Sequence, residues 1–158
     1  MNQDSAPAQD PANKSALLLP ILRKIPLFVD LDETIHKEII DHIVLMYYPA
    51  NYTIFNENDL GDALYIVKKG TVSITKHPAE EGDPEKEVAQ IVDGGFFGEM
   101  ALVSNTPRNA SAKTLSECEV FILSKDDFQK LLDTNKTLAE HISATVVARL
   151  NQNNRSEQ

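Results

Sequence analysis

The chain has 158 residues, 42% of them hydrophobic, which is the composition of one ordinary globular domain with short extensions. Asp and Glu number 24 against 15 Lys and Arg, giving a formal net charge of −9, which disfavours binding to nucleic acid through bulk charge. The single cysteine, Cys118, excludes an intrachain disulfide framework and a cysteine-based zinc or iron–sulfur site, and we expect it to be a small buried hydrophobe.

The N-terminal region lacks the features of a targeting signal. An acidic residue precedes any base, which is not typical of a signal peptide. The longest apolar run, residues 16–22, is too short to cross a bilayer and contains Pro20. We therefore expect residues 1–14 to be a disordered tail and the protein to be cytoplasmic, without a membrane span.

A helical segment is predicted over residues 15–46, with an interruption at Pro26. Asp32 is a suitable N-cap for its main helix. The apolar positions that follow are spaced to form one helical face: Ile35, Ile39, Ile40, Ile43 and Val44.

Strand-like patterns occupy residues 47–123. Short runs rich in β-branched and aromatic residues alternate with turn signals; the runs are YTIF, ALYIVKKGTVSIT, EVAQIV, ASAKT and CEVFIL. Gly70, between LYIVK and TVSIT, predicts a hairpin. Many short strands at regular spacing predict an antiparallel β-roll of the jelly-roll kind.

Two helices are predicted over residues 124–151, followed by a polar tail at residues 152–158. The second helix carries an apolar stripe that we expect to cover the chain's own β-roll rather than a partner helix: Leu138, Ile142, Val146 and Leu150. The expected fold class is α+β, an antiparallel β-roll flanked by N-terminal helices and two C-terminal helices. We expect no further domain within the chain.

The chemistry-bearing residues give no indication of a catalytic or metal site. The four histidines lack the H-x-H and H-E-x-x-H spacings, and the G-x-S-x-G, P-loop and G-x-G-x-x-G motifs are absent. We therefore expect no enzyme activity, no metal and no cofactor.

One stretch, residues 96–112, combines a glycine with one acid and one strong base. Gly98 and the glycines before it allow a ligand to approach main-chain N–H groups closely. The run EMALV predicts a single helical turn, and the positive N-terminal end of a helix suits an anion. Arg108 can hold a phosphate through two parallel hydrogen bonds. This stretch therefore predicts a phosphate site.

Glu99 lies nine positions before Arg108 and requires a different partner. A carboxylate only accepts hydrogen bonds, so it suits a hydroxyl pair such as that of a ribose. A ligand with a phosphate fused to a ribose would occupy both groups. The alternative is a purely structural salt bridge between Glu99 and Arg108.

The stretch resembles the phosphate-binding cassette of cyclic nucleotide-binding domains, the family of catabolite activator protein and the protein kinase A regulatory subunits. FGEMAL at 97–102 and PRNASA at 107–112 fit the family pattern F-G-E-x-A-L, spacer, P-R-x-A-[ST]-x. GDALYIVKKGTVSI at 61–74 is similar to the family's G-D-x-x-Y-x-I-x-x-G-x-V hairpin, and LRKIPLFVDLDETIHKEI is similar to its N-terminal helical bundle. The resemblance covers about residues 17–150.

The resemblance implies a regulatory module that binds a cyclic nucleotide. Glu99 would accept from the ribose 2′-hydroxyl and Arg108 would pair with the cyclic phosphate. The remaining implied phosphate contacts are the approach permitted at Gly98 and the main-chain N–H groups of Ala101, Asn109 and Ala110.

The resemblance also implies contacts to the sugar and base. Met100 and Ser111 would lie near them, and the last helix would fold over the base as a lid, with Val146, Val147 and Leu150 as candidates. Asn109 stands where the family usually has Ala, Ser or Thr, and hydroxyl residues there often favour cGMP. We expect cAMP as the ligand, with cGMP as the less favoured choice.

The implied mechanism is that the phosphate draws the EMALV turn inward and the C-terminal helices at 124–151 move as hinge and lid. Because we expect no output domain, the chain would be either a stand-alone sensor or a regulatory piece of a larger protein. The output would then pass to a protein partner or a missing effector domain. Two other classes compete with this interpretation. One is an interaction domain of the same fold that does not bind nucleotide; the other is a cupin-type enzyme or metal protein, which would need clustered histidines. A haem-sensing relative is disfavoured because the nucleotide cassette is retained.

Overall fold

A computed structural model describes residues 11–78 and 80–156 of the chain. This part of the chain divides into a helical unit, before Ile43 and after Lys125, and a β unit, Ile43–Lys125. Its helices and strands are α1 Pro11–Leu22, α2 Glu33–Asp41, β1 Val44–Tyr48, β2 Thr53–Phe55, β3 Ala63–Lys69, β4 Val72–Lys76, β5 Lys86–Ile91, β6 Phe96–Phe97, a 3₁₀ helix Glu99–Leu102, β7 Ser111–Thr114, β8 Cys118–Ser124, α3 Lys125–Thr134 and α4 Lys136–Ser156.

The β unit consists of two four-stranded antiparallel sheets. The strand order is β1-β8-β3-β6 in one sheet and β2-β7-β4-β5 in the other. Their inward-facing side chains form one apolar core, in which the fully or nearly fully buried members include Val67, Val72, Ala112, Cys118 and Val120. The predicted antiparallel β-roll is confirmed, and Cys118 is a buried free thiol within the core as expected.

The predicted hairpin at Gly70 is wrong. Strand β3 pairs with β8 and β6, whereas β4 pairs with β5 and β7, so the chain changes sheets between Lys69 and Val72. Side chains from elsewhere hold this crossing: the Gly70 N–H donates to the Asp93 carboxylate at 2.9 Å, and the Thr71 N–H donates to Ser116 Oγ at 3.1 Å. A glycine between two strands marks a turn, but only distant pairing decides which sheet the next strand joins.

Helix α2 begins as its sequence predicts and ends earlier than expected. Asp32 is the N-cap, and its Oδ1 accepts from the Ile35 N–H at 2.9 Å. The helix ends at Asp41, and Val44 is the first residue of β1, paired with Ile122 and 55% exposed. The expectation that Val44 extends the apolar helix face was therefore wrong, because strand pairing with β8 overrides helical spacing.

The two predicted tails are shorter than expected. Helix α1 begins at Pro11, a residue suited to a first helical turn, so residues 11–14 are helical; residues 1–10 lie outside the described part. Helix α4 continues to Ser156, which makes residues 152–156 helical, while 157–158 also lie outside it.

The helical unit has its own buried contacts. The rings of Phe28 and Phe128 lie 5.8 Å apart, and Asn135 Nδ2 donates to the Glu38 carboxylate at 2.9 Å, which joins the start of α4 to α2. In the stripe of α4, Leu138 and Ile142 are buried. That this stripe covers the β-roll stays a prediction. None of the described helices is long and apolar enough to span a membrane.

Candidate functional site

A cavity of about 510 Å³ opens in the β unit. Six of the ten predicted site residues line it, namely Gly98, Met100, Ala101, Arg108, Asn109 and Ala110. The other lining residues are Phe55, Gly61, Ile74, Ala89, Ile91, Phe97, Thr106 and Pro107. The fold therefore brings both halves of the cassette, residues 97–102 and 107–112, to one cavity.

The predicted helical turn is present as the 3₁₀ helix Glu99–Leu102, and Gly98 is its N-cap. Gly98 has φ 83° and ψ 15°, a left-handed conformation that favours glycine. A Cβ at this position would lie 2.7 Å from Arg108 Nη1 and 3.0 Å from the Ala63 carbonyl oxygen. Both the backbone conformation and the close approach of Arg108 require glycine here.

The main chain of Arg108 is held by the loop between β2 and β3. The Arg108 N–H donates to the Asp59 carbonyl at 2.6 Å, and the Arg108 carbonyl accepts from Asn58 at 2.8 Å. Pro107 forms an isolated antiparallel bridge with Leu60. These bonds fix the direction in which the arginine side chain leaves the backbone.

Arg108 is 8% exposed. Nη2 donates to the Ala63 carbonyl at 3.0 Å and lies 3.8 Å from Asp62 Oδ1, whose side chain is 80% exposed. Burial lowers the pKa of Arg108, while nearby Tyr65 and Asp62 act in the opposite direction. Nε is buried and has no hydrogen-bond partner within the described part of the chain. An anion would supply the charge and the acceptors that this guanidinium lacks.

Among the described residues that line the cavity, four of the ten predicted site residues are absent. Glu99 is half-buried and lies between Gly98 and Met100, which do line the cavity. Ser111 Oγ accepts from the Glu57 N–H at 2.8 Å. Val147 is 56% exposed on α4, and the side chain of Leu150 lies outside the described residues. The sugar, base and lid roles of these four residues stay predictions.

The sequence analysis missed the apolar part of the cavity lining. Ile74, Ala89 and Ile91 lie on β4 and β5, and we call them the β4–β5 wall. A second part of the lining, which we call the arginine wall, consists of Gly61, Gly98, Ala101 and Arg108. Alternation along the strands shows that such residues share a face, but it does not tell a face that lines a cavity from one that fills the core.

The described residues hold no group of three or more His, Cys, Asp or Glu side chains placed to bind a metal. His36 has a structural contact instead. It is 1% exposed, and its Nε2 donates to the Phe28 carbonyl at 2.7 Å within the helical unit.

Comparison with known proteins identifies a cyclic nucleotide-dependent protein kinase and a protein kinase regulatory subunit as relatives. The cGMP-dependent protein kinase, isozyme 1, of Drosophila melanogaster is 30% identical over 112 residues, which are 70% of this chain and 15% of that protein. The cAMP-dependent protein kinase regulatory subunit of Yarrowia lipolytica is 32% identical over 111 residues, 70% of this chain and 28% of that protein. The chain therefore spans less than a third of either relative.

A solved structure shares the fold over nearly its full length. The N-terminal domain of a transcriptional regulator from Streptomyces coelicolor superposes with a TM-score of 0.77 at 28% identity, covering 87% of this chain and 95% of that one. The sequence also matches the profile described as the cyclic nucleotide-binding domain over residues 45–135, more than half of the chain. With the two-sheet β-roll and the cavity around Arg108, this match shows that the chain belongs to the cyclic nucleotide-binding domain family.

Proposed function

We propose that this chain is a regulatory module, not an enzyme, and that it binds a 3′,5′-cyclic nucleotide in the cavity of its β unit. The observation that carries the proposal is Arg108. It is a buried cation in a cavity wall, the Asp62 side chain 3.8 Å from it is 80% exposed, and its Nε has no partner in the described chain. A cyclic phosphate matches this guanidinium in charge and in hydrogen-bond acceptors.

The phosphate would also require main-chain donors near the 3₁₀ helix. The Ala101 N–H donates to the Gly98 carbonyl at 3.1 Å within the turn. For this N–H to reach a phosphate, the turn must rearrange, so ligand binding and movement of the turn are linked. The N–H groups of Asn109 and Ala110, which follow Arg108, are the other proposed donors.

The ribose would be held by Glu99. Glu99 directly follows Gly98, the N-cap of the 3₁₀ helix, and its neighbour on each side lines the cavity, which supports this role. We propose that it accepts from the ribose 2′-hydroxyl. Met100, which lines the cavity, and Ser111 complete the sugar and base surroundings in this proposal.

The base would contact the β4–β5 wall and Asn109. An aliphatic surface accepts either purine, so it supports binding without choosing between adenine and guanine. Asn109 is exposed and lines the cavity, and its side-chain amide can both donate and accept. The two relatives are named for cAMP and for cGMP, and we propose cAMP as the preferred ligand here.

Isothermal calorimetry with cAMP and, in parallel, cGMP tests this proposal directly. Protein shown to be folded and free of carried-over nucleotide should bind one of them saturably, at micromolar concentration or below. Tighter binding of cGMP would overturn the ligand preference but not the module. The absence of heat with either would favour a nucleotide-independent interaction domain of the same fold.

The signal would leave through the C-terminal helices. We propose that ligand-induced movement of the 3₁₀ helix shifts α3 and α4, with Val147 and Leu150 as candidate lid residues, and that a protein partner or an attached effector domain responds. Hydrogen–deuterium exchange of residues 124–150 with and without cAMP tests the movement. Unchanged protection there, in protein that binds cAMP, would rule out the lid.

A further inference from the structure

An aromatic cluster lies directly against the buried guanidinium. The Arg108 Cζ atom is 4.1 Å from the centre of the Phe55 ring and 5.6 Å from that of Tyr65. The Tyr65 ring stacks on Phe97 with centres 5.1 Å apart, and Phe55 lies 5.7 Å from Tyr65 and 6.0 Å from Phe97. Two rings, from strands β2 and β3, therefore lie within 6 Å of the cation, and a third ring, from β6, packs against both of them.

The ring surface adds to a small set of polar contacts around this buried cation, which includes the Tyr65 side chain. The Ala63 carbonyl binds Nη2, Asp62 is exposed and 3.8 Å away, and Nε has no partner in the described chain. A cation over a ring face is attracted by the ring quadrupole, and the attraction is stronger where water is excluded. Phe55 supplies this attraction at the shortest of the recorded distances and also lines the cavity.

We propose that Phe55 is a positioning residue for ligand binding: its ring holds the plane of the Arg108 guanidinium in the orientation that receives the phosphate. The Ala63 carbonyl fixes one nitrogen of the group, and the ring fixes its face, so the guanidinium cannot rotate about its long side chain. Pre-orientation of the cation lowers the entropy lost when the phosphate binds. The proposal rests on the proposed cyclic nucleotide site.

Two measurements on the full chain test the proposal. The first is the Nε–Hε resonance of Arg108 in a ¹H–¹⁵N spectrum, one of four arginines in the chain, assigned by its loss in Arg108→Lys. A proton over a ring face is shielded, so the resonance should lie upfield of the other three. The second is cAMP affinity by calorimetry.

Phe55→Leu should move the Arg108 resonance towards the other arginines and weaken cAMP binding about threefold to thirtyfold. Phe55→Tyr, which keeps the ring, should restore both. Phe97→Leu is the matched control, because Phe97 is a ring of the same cluster that stacks on Tyr65, and it should leave the resonance shielded. If Phe55→Leu does not fold, Phe55→Met, whose unbranched side chain adapts to the space left by the ring, serves the same purpose.

The outcomes separate this proposal from the proposed function. An affinity loss without a resonance shift would mean that Phe55 acts on the ligand directly, and would overturn the positioning role. A shifted resonance with unchanged affinity would overturn it as well. If the wild-type protein binds neither cAMP nor cGMP, the proposed function fails, and with it the role in binding, whatever the resonance shows.

Discussion

The arginine wall and the β4–β5 wall line the same cavity but are held in different ways. In the arginine wall, Gly61, Ala101 and Arg108 are buried and Gly98 is half-buried. The wall is closely packed: a Cβ on Gly61 would lie 2.9 Å from Ala101 Cβ, and one on Gly98 would lie 2.7 Å from Arg108 Nη1. In the β4–β5 wall, Ile74 and Ile91 are half-buried and Ala89 is exposed. Its members contribute apolar surface without a hydrogen-bonding pattern.

The difference indicates that the two walls have separate roles, one in recognising a chemical group and the other in recognising a particular ligand. Main-chain bonds, close packing and an aromatic ring leave the arginine wall one arrangement, which suits a single anionic group. The open aliphatic wall accepts many planar rings, so choice between bases depends on isolated polar groups such as Asn109. Substitutions in the two walls should therefore differ in how much they weaken ligand binding and in whether they change the preference between ligands.

The largest effect is expected at Arg108. Arg108→Ala removes the only proposed charge partner of the phosphate and should cost about 2–5 kcal/mol of cAMP binding. Calorimetry measures this loss directly. The control is Arg23→Ala, which removes a half-exposed arginine paired with Glu33 in the helical unit and should leave affinity unchanged. Retained affinity in Arg108→Ala would refute the assigned role of the arginine wall.

Gly98→Ala should come next, because the added methyl group displaces Arg108. We expect an affinity loss of about tenfold, together with destabilisation of about 1–2 kcal/mol from the left-handed backbone. Gly94→Ala is a matched control, since Gly94 has the same φ of 83° but open space around its Cα. It should show a similar fall in stability in thermal unfolding and no loss of affinity. Equal affinity losses in the two variants would mean that backbone strain alone is responsible.

A smaller effect is expected in the β4–β5 wall. Ile91→Ala removes apolar surface from the cavity and should weaken cAMP and cGMP about equally, by about threefold to tenfold. Val88 lies on the same strand, is 46% exposed and is absent from the lining among the described residues. Val88→Ala should leave both affinities unchanged. A strong change in the cAMP-to-cGMP ratio in Ile91→Ala would show that the wall selects the base.

Substitution of Asn109 should change the preference between cAMP and cGMP more than the overall affinity. Asn109→Thr introduces the hydroxyl that resembles the cGMP-favouring family members, and we expect the ratio of the two affinities to shift towards cGMP by a few-fold. Asn109→Ala is the control without a hydroxyl and should not favour cGMP. Competition calorimetry with the two nucleotides provides the ratio. An identical ratio in all three proteins would remove Asn109 from the specificity argument.

The smallest effect at neutral pH is expected from Tyr65, beside the arginine wall. Burial raises the pKa of its phenol from 10.0 to about 12. Because the unfolded phenol ionises first, the free energy of unfolding should decrease as pH rises from about 10 to 12, and not below that range. Tyr65→Phe should lose this part of the alkaline dependence in denaturant titrations. An unchanged dependence would mean that another group causes it.

Local signals in the sequence were sufficient for most elements and for the centre of the site. The N-cap at Asp32, the turn after Gly98 and the return strand at Ser111 follow from residue types and short spacings, and the structure contains them. Two features could not be predicted from local signals: the change of sheet at Gly70 and the start of β1 at Val44. Both depend on pairing with strands far along the chain.

Residue types and short spacings were enough to predict the kind of fold and the cassette, with Gly98, Glu99 and Arg108 at recognisable spacing. The groups that surround Arg108 became visible only in the folded chain: the Ala63 carbonyl, the exposed Asp62 carboxylate and the Phe55 ring. The reason is that local and tertiary interactions act over different distances along the chain. Backbone propensity, capping and turn chemistry act over a few residues, whereas the environment of a buried cation is assembled from strands brought together by the whole fold.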